Sequence, residues 1–283
     1  MSAVIAMWSG GEAISSPILQ DRGFHYGDGL FETILFEGGG LQFWQRHLDR
    51  LELGCQRLGL QMPALSGVIE HLSQVLPIDV RAVVKLIVTA GITGRGYGRD
   101  VTEGGLHCLS YESIDVPDKN SVALSTSPVR LSRQPLLAGL KHLNRLEQVL
   151  AKRSLPEGCF EGLMLDTEGL VVEGIMSNVF YQKGATLITP SLAFSGVAGI
   201  MRGIVMESAP ECGLEVVETA FKPKEMLEAD AIFICNSLMG LRSVTEWGEW
   251  RPQKAPCLAV MNAAILQKQQ QEQLNLKLGC SRA

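Results

Sequence analysis

Residues 161–190, EGLMLDTEGLVVEGIMSNVFYQKGATLITP, contain the pattern that decides the fold. Short apolar and β-branched runs are separated by two turn signals, at residues 167–169 and 183–184, which is typical of consecutive antiparallel strands. Helical segments elsewhere in the chain do not alternate with strands in a steady β-α-β order. The sequence therefore predicts the α+β class, in which strands and helices mix without a parallel repeat.

Further elements are predicted on both sides of this meander. Residues 29–44 indicate a hairpin with a turn at residues 38–40, and apolar residues at helical spacing predict a helix over 45–60. The other predicted elements are helices over 65–76, 200–208, 222–229 and 255–276, and strands over 82–91, 105–113, 121–129, 214–221 and 230–237. Proline and polar residues in IDVPDKN (114–120) indicate a domain boundary. The predicted division is an N-terminal α/β domain over 1–114, a linker over 115–121 and a C-terminal domain over 122–283.

The composition limits the classes of function. A chain of 283 residues with 46% hydrophobic side chains is expected to form a globular protein with a sizeable core. Its net charge of −5 and its lack of a basic stripe argue against nucleic acid as a partner. No apolar run reaches the ~18 residues of a membrane span, and the N-terminus lacks signal-peptide features. The seven scattered cysteines form no C-x-x-C pair, so we predict no metal site, no disulfide framework and a cytoplasmic location.

Two lysines are candidates for covalent chemistry, which requires a sheltered amine that is neutral near physiological pH. Lys85 lies in the apolar run VVKLIVTA and is the more buried candidate by pattern, although a lysine on an edge strand can also face solvent. Lys141 is predicted at the entrance of a helix, outside a packing face formed by Leu146, Val149 and Leu150. Its alternative interpretation is an ordinary helix-entry lysine that reaches solvent.

Three further features suit a charged ligand. Glu173 is a carboxylate in an apolar strand, where it either needs a partner or points outward from the sheet. Arg46 and Arg50 are one helical turn apart, and either guanidinium can bind a phosphate or remain solvated. The segment GVAGIMRG (196–203) leads into a helix whose first amides can bind an anion. A lysine, a carboxylate, an arginine and a helix N-terminus are together what pyridoxal phosphate requires.

Seven segments stand out along the chain: DRGFHYGDGLFET (21–33), HLDRL (47–51), GRGYG (94–98), KHLNRLEQVLA (141–151), EGIMSNVF (173–180), GIMR (199–202) and ICNSLM (234–239). Their order and residues resemble the fold-type IV pyridoxal-phosphate enzymes, which include branched-chain and D-amino-acid aminotransferases and 4-amino-4-deoxychorismate lyase. GRGYG and KHLNRLEQ look like the lyase members. The resemblance implies a two-domain, D-amino-acid aminotransferase-like homodimer with pyridoxal 5′-phosphate in the C-terminal domain.

The resemblance also implies the cofactor contacts. Lys141 matches the lysine that bonds to the cofactor, and Glu173 matches the acid that faces the pyridine nitrogen. Arg50 matches the phosphate-binding arginine, which favours it over Arg46. The other cofactor-binding residues implied in this way are Asn178, Asn236 and Ser237, together with Ile200 and Met201, which contribute their backbone amides.

Two departures from the aminotransferase pattern point towards the lyase. Phe31 stands where aminotransferases commonly have a tyrosine, and Arg145 stands where D-amino-acid aminotransferases have an apolar residue. Together with Arg95 and Tyr97, they form the predicted substrate-binding set, and Thr33 is predicted to assist proton transfer as a catalytic residue. The implied reaction converts 4-amino-4-deoxychorismate to 4-aminobenzoate and pyruvate in folate biosynthesis. The alternative is an aminotransferase that acts on D-amino or branched-chain amino acids.

Overall fold

The computed structural model of the protein describes residues 8–9, 12–13, 17–92, 96–99, 104–112, 121–252 and 258–276. The first part of the chain forms β1 (Trp8–Ser9), β2 (Glu12–Ala13), α1 (Arg22–Tyr26), β3 (Gly29–Glu37), β4 (Gly40–Leu41), α2 (Trp44–Leu58), α3 (Ser66–Val75), β5 (Ala82–Thr89) and β6 (Gly105–Glu112). The second part forms β7 (Ser121–Leu131), α4 (Leu146–Arg153), β8 (Glu161–Asp166), β9 (Val171–Gly174), β10 (Asn178–Lys183), β11 (Thr186–Pro190), α5 (Ile200–Ser208), β12 (Glu215–Thr219), α6 (Pro223–Met226), β13 (Ala231–Asn236), β14 (Gly240–Trp247), α7 (Leu258–Gln271) and β15 (Leu274–Asn275).

The first large sheet is antiparallel and has the strand order β15-β4-β3-β5-β6. Its β3–β4 hairpin turns at Gly38 and Gly39, whose φ angles of 59° and 80° are readily adopted by glycine. One face of the sheet packs against α2 and α3 in a core that includes Leu72 and Leu86. The opposite face of β5 carries Lys85 and is half-buried. Since β5 is an interior strand, the edge-strand interpretation of Lys85 is wrong.

The second large sheet is mixed and has the strand order β12-β11-β10-β13-β14-β7-β8-β9. Residues 161–190 form four of these strands, β8 to β11. They are not a continuous meander as predicted, because β9 pairs with β8 whereas β10 pairs with β11 and β13. Alternate residues of β13 enter two different cores, because Phe233 packs with α5 and α7 whereas Ile234 packs with residues of the opposite face. Burial on both faces explains why β13 is a nearly continuous apolar run rather than an alternating one.

A short extended segment, residues 139–143, joins the two sheets, and we name it the strap. Gly139 N donates to Gly196 O at 2.8 Å, next to the second sheet. Phe31 N of β3 donates to Lys141 O at 2.9 Å, which ties the strap to the first sheet. Lys141 is therefore held in an extended backbone between the two sheets.

The structure corrects two predictions about this region. Lys141 is not at a helix entrance, because α4 begins five residues later, at Leu146. The predicted packing face of α4 is also wrong: Leu146, Val149 and Leu150 are 69%, 52% and 43% exposed, and Ala151 is the buried residue of the helix. Helical spacing finds an apolar side, but the docking of α4 on β7 and β8 decides which side is covered.

The α+β prediction is confirmed, and most of the predicted elements are present. The sequence pattern missed β1, β2, α1 and β14, and it placed the residues of β15 in the C-terminal helix, which ends at Gln271 in the structure. Residues 115–120 of the predicted linker lie outside the described residues, and Ser121 begins β7. The two-domain division stays a prediction; the late strand β15 pairs with β4 and so adds to the first sheet. Within the part of the chain that the structure describes, no helix is both long enough and apolar enough to cross a membrane.

Candidate active site

A cavity of about 400 Å³ lies where the strap meets both sheets. Eleven of the residues that the sequence assigned to the site line it: Phe31, Thr33, Arg50, Lys141, Arg145, Glu173, Asn178, Ile200, Met201, Asn236 and Ser237. They come from β3, α2, the strap, the residue before α4, β9, β10, α5 and the end of β13. Segments more than 200 residues apart in the chain therefore meet only in the folded protein.

Lys141 is the buried amine of this cavity. Its Nζ lies 4.3 Å from the centre of the Phe31 ring, whose face replaces only part of the lost hydration. Burial, and then the nearby charge of Arg50, lower the pKa of Lys141 to about 8. Lys85 belongs to the neighbouring strand β5, and its Nζ lies 4.9 Å from the centre of the same Phe31 ring. It does not line the cavity. The packing therefore favours Lys141, although the sequence pattern made Lys85 the more buried candidate.

Glu173 faces the same cavity from β9 and is 5% exposed. Its Oε2 accepts a hydrogen bond from Val197 N at 2.8 Å. Burial raises the pKa of Glu173 to about 7, and the hydrogen bond from Val197 and the charge of Arg145 offset only part of that rise. The alternative interpretation, in which Glu173 points outward from the sheet, is therefore wrong.

Arg50 reaches the cavity because a buried carboxylate holds its side chain. Arg50 Nε and Nη2 donate to the two carboxylate oxygens of Glu32 at 2.8 and 2.5 Å, and Nη1 donates to Ala198 O at 3.0 Å. Arg46, the other candidate, is instead paired with Glu207 and Glu272. The geometry therefore places Arg50, and not Arg46, beside the cavity.

The N-terminus of α5 lies against the cavity beside Arg50. The first amides of the helix, including those of Ile200 and Met201, lack intrahelical acceptors. The N-cap residue Gly199 has no side chain that could cap them. Asn178 Nδ2 donates to Val197 O at 2.9 Å and fixes the loop that enters the helix. A Cβ at residue 199 would overlap Asn178 Oδ1, which explains the glycine. Arg50 and the start of α5 together form a site for an anion.

The turn after β13 completes this side of the cavity. Asn236 Nδ2 donates to Met176 O at 3.0 Å, and its Oδ1 accepts from Leu238 N at 3.0 Å and Met239 N at 2.9 Å. The side-chain amide of Asn236 is thus engaged within the protein, and it shapes the turn that contains Ser237. Both residues line the cavity, as the sequence predicted, but the geometry gives Asn236 a positioning role.

The predicted substrate residues fall into three groups. Arg145 lines the cavity, and its guanidinium donates to His142 O at 2.8 Å, one residue beyond Lys141. Tyr97 is 87% exposed, stacks near Tyr26 and does not line the cavity of this chain. Arg95 lies outside the described residues. The assignment of these residues to the substrate stays a prediction.

Sequence reasoning missed two buried groups, Glu32 and His47. His47 Nδ1 lies 2.6 Å from Glu32 Oε2, and both side chains are 1% exposed. Although burial alone would raise it, the charges of Arg50 and His47 hold the pKa of Glu32 at about 2. The signal was available, because Glu32 is a carboxylate inside an apolar strand, which is the feature that singled out Glu173.

The comparison with protein families decides the affiliation of the chain. The model of the amino-transferase class IV family matches residues 29–247, which include the cavity residues described above. The chain belongs to the class IV aminotransferase family. Its cofactor is pyridoxal 5′-phosphate, as the resemblance predicted.

Individual relatives of this class IV protein include both lyases and aminotransferases. The aminodeoxychorismate lyase of Vibrio harveyi is 36% identical over 84% of this chain and 90% of its own. A putative branched-chain-amino-acid aminotransferase of Methanocaldococcus jannaschii is 32% identical over 80% and 81% of the two chains. The crystal structure of 4-amino-4-deoxychorismate lyase from Pseudomonas aeruginosa superposes with a TM-score of 0.80 at 37% identity, covering 91% of this chain and 97% of that one.

The residues of the cavity fit pyridoxal 5′-phosphate. Lys141 supplies an amine whose lowered pKa favours covalent bonding to an aldehyde. Glu173 presents a carboxylate that suits a protonated ring nitrogen. Arg50 and the amides at the start of α5 offer the cationic and dipolar groups that a phosphate needs.

Proposed function

We propose that this protein is a pyridoxal-phosphate-dependent lyase that converts 4-amino-4-deoxychorismate to 4-aminobenzoate and pyruvate in folate biosynthesis. The observation that carries the proposal is the likeness to aminodeoxychorismate lyases in both sequence and structure, at 36% and 37% identity over most of each chain. Phe31 supports it from within the cavity, because its ring provides no hydroxyl group beside Lys141.

Glu173 and Lys141 have opposite tasks in this proposal. Bound pyridoxal phosphate supplies a ring that withdraws electrons from the amine-bearing carbon of the substrate. Glu173 holds a proton at the ring nitrogen, since a buried carboxylate is most stable beside a cation. Lys141 acts as the base, because a pKa of about 8 leaves a useful fraction of free amine near neutral pH.

The elimination balances without an oxidant or a reductant. Lys141 removes the hydrogen on C4 of the substrate, and that electron pair forms the new ring double bond between C4 and C3. The bond from C3 to the enolpyruvyl oxygen breaks, and its electron pair leaves with the oxygen. A proton delivered to the enolpyruvyl methylene carbon then gives pyruvate, while the ring becomes aromatic. Thr33 lines the cavity and is the proposed route for that proton.

Arg145 is the proposed partner of a substrate carboxylate. It is a cation on the cavity wall whose charge acts on both Lys141 and Glu173, and burial lowers its pKa. A buried guanidinium favours a carboxylate, which restores part of the solvation that it has lost. Arg95 and Tyr97 remain proposed substrate residues on the strength of the lyase-like GRGYG segment.

The second candidate function is amino transfer to a keto acid, with Lys141 and Glu173 in the same places. The observation that favours it is the 32% identity to the putative branched-chain-amino-acid aminotransferase. An aminotransferase must hold an α-carboxylate and return the proton to the cofactor carbon, whereas the lyase must release an enolpyruvyl group. The two activities can therefore be separated by their products.

The deciding experiment supplies the purified holoenzyme with 4-amino-4-deoxychorismate and follows 4-aminobenzoate and pyruvate together. We expect the two products in equal amounts. A parallel assay offers D-alanine or a branched-chain amino acid with a keto acid, and we expect slow transfer or none. Rapid transfer without 4-aminobenzoate would overturn the lyase proposal and establish the aminotransferase.

We also infer that the protein is a homodimer located in the cytoplasm. Support for the dimer comes from apolar side chains that remain exposed beside the cavity, namely Val149 (52%) and Met176 (48%). Support for the location comes from the free thiols of the described cysteines, which suit a reducing compartment. Sedimentation velocity on the full chain tests the dimer, and a monomer at micromolar concentration contradicts it.

A further inference from the structure

Glu161, the first residue of β8, is a buried carboxylate that the proposed mechanism does not use. It is 0% exposed, and it accepts four hydrogen bonds within the protein. Its Oε1 accepts from Gly162 N at 2.9 Å and Ile175 N at 3.0 Å, and its Oε2 accepts from Met176 N at 3.1 Å and Ser177 Oγ at 2.9 Å. Three of the four donors belong to one turn, residues 175–177, which we name the cavity turn.

The cavity turn forms part of the wall of the cofactor cavity. It connects β9, which ends one residue after Glu173, to β10, which begins at Asn178. A short backbone hydrogen bond, from Gly174 N to Ser177 O at 2.6 Å, closes it. Glu161 lies outside the cavity and holds this turn in place. The turn connects Glu173, which is proposed to face the ring nitrogen, to Asn178, which fixes the loop that enters α5.

The cavity turn also reaches the phosphate side of the cavity. Met176 N donates to Glu161, and Met176 O accepts from Asn236 Nδ2 at 3.0 Å. Asn236 Oδ1 in turn accepts from Leu238 N and shapes the turn on which Ser237 lines the cavity. A single residue of the cavity turn, Met176, therefore links the buried carboxylate to the proposed phosphate contact through its N–H and its C=O.

We propose that Glu161 is a positioning residue for the cofactor phosphate, acting through Met176 and Asn236 on Ser237. The inference rests on the proposed phosphate site at Ser237 and Arg50. Glu161 does not touch the cavity, and its effect passes through the backbone of the cavity turn.

A carboxylate is required at this position because only it presents acceptor oxygens to all four donors. In Glu161→Gln, one oxygen becomes an NH2 group, which cannot accept from the amide or hydroxyl that it faces. Because each oxygen accepts from two donors, two buried donors then lose their acceptor, and the cavity turn must shift to satisfy them. The shift is passed to Asn236 and moves Ser237 away from the phosphate.

The experiment measures the dissociation constants of pyridoxal 5′-phosphate and of pyridoxal, which lacks the phosphate, for the full-length apoprotein. We expect Glu161→Gln to weaken binding of the phosphorylated cofactor about tenfold and of pyridoxal less than about twofold. The matched control is Glu168→Gln, an exposed carboxylate in the turn after β8, which leaves both constants unchanged. Equal weakening of the binding of both ligands overturns the inference, because a general destabilisation of the protein affects the two dissociation constants alike.

A double-mutant cycle with Asn236→Ala tests the route. If Glu161 acts through Asn236, the double variant binds the phosphorylated cofactor no more weakly than the weaker single variant. Additive losses contradict that route. Should Glu161→Gln fail to fold, Glu161→Asp keeps the charge, withdraws the oxygens by one methylene group and must show the same selective loss. Failure of the wild type to bind the cofactor overturns the proposed function instead, so the two outcomes are distinguishable.

Discussion

Glu32 and Glu173 are both buried carboxylates beside the same cavity, yet their acid–base properties are opposite. Glu32 is 1% exposed and has two basic partners, His47 and Arg50, which hold its pKa at about 2. Glu173 is 5% exposed, and within the described part of the chain it accepts a hydrogen bond from the neutral Val197 amide. Burial consequently dominates there and raises the pKa to about 7.

The difference teaches that the partners of a buried carboxylate, rather than its burial, indicate its role. Glu32 is neutralised within the protein, so it holds Arg50 in place. Among the described residues, the hydrogen-bond donor to Glu173 is the neutral Val197 amide rather than a cation, and the carboxylate therefore suits a cation from outside. A protonated pyridine nitrogen supplies that cation.

Lys141→Ala should have the largest effect, because Lys141 lies within the electrostatic reach of both carboxylates. We expect lyase activity to fall by more than about 10³-fold, since both the covalent attachment and the base are lost. The visible absorbance of the lysine-bound cofactor should disappear as well. Lys85→Ala is the matched control and should keep both properties. Retention of the absorbance in Lys141→Ala would show that another lysine binds the cofactor.

Arg50→Met removes the main counter-charge of Glu32. We expect the free energy of unfolding to fall by about 4 kcal/mol, because a buried carboxylate loses its partner. Denaturant titration at pH 7 measures this change. Arg46→Met breaks half-exposed ion pairs and should cost less than about 1 kcal/mol. Similar losses in the two variants would contradict the special role of the Glu32–Arg50 pair.

The pH dependence of stability should separate the two carboxylates. Because the folded-state pKa of Glu173 is raised from 4.5 to about 7, its contribution to stability is present below pH 4.5 and is lost as the pH rises to about 7. The loss should be about 3 kcal/mol. The pKa of Glu32 is lowered to about 2, so its contribution is present above pH 4.5 and is lost as the pH falls towards 2.

Unfolding of the apoprotein between pH 4.5 and 7.5 tests the Glu173 part of this prediction. Other groups titrate in that interval, such as His142, whose burial lowers its pKa to about 4, so the pH dependence of the wild type minus that of Glu173→Gln isolates Glu173. Because glutamine does not titrate, that difference should change by about 3 kcal/mol across the interval. Glu168→Gln, which changes an exposed carboxylate, should show no such difference from the wild type. A pH profile of Glu173→Gln that runs parallel to that of the wild type would assign the contribution to other groups.

Apart from its proposed role in substrate binding, Arg145→Met should have the smallest effect, a change in the pKa values of the two neighbouring groups. The charge of Arg145 lowers the pKa of both Glu173 and Lys141, so its removal should raise both. Because Arg145 is a secondary cause in each case, we expect shifts below about 1 pKa unit. The pH dependence of covalent cofactor attachment measures the Lys141 shift. Arg153→Met, an exposed change on α4, serves as the control, and a downward shift in Arg145→Met would contradict the sign.

Much of this site could be predicted because its residues carry recognisable local motifs. The meander over 161–190 predicted four strands, and the helix predicted over 200–208 has those bounds in the structure. The KHLNRLEQ and EGIMSNVF segments led to Lys141 and Glu173 through a family resemblance. The hydrophobic pattern alone marked Glu173 as a carboxylate in an apolar strand, but of the two lysines it favoured Lys85 over Lys141.

The remainder depended on contacts between distant segments. Helical spacing marked Leu146 as part of a packing face, but the docking of α4 leaves it 69% exposed. The cluster of Glu32, His47 and Arg50 joins β3 to α2, and the route from Glu161 to Asn236 joins β8 to the end of β13. A local pattern can mark Glu32 as a carboxylate in an apolar strand, but it does not contain the pairing, because the partner residues belong to other elements.

Residue order and motifs were enough for the α+β class and the cofactor family, and they led to Lys141 as the proposed cofactor lysine. Only the tertiary structure decided which groups are charged. Lys141 and Glu173 have pKa values of about 8 and 7 because folding removes them from water and brings Arg50 and Arg145 close. Desolvation and Coulomb interactions depend on distance in space, and 32 residues of chain separate Lys141 from Glu173, so only the fold sets them.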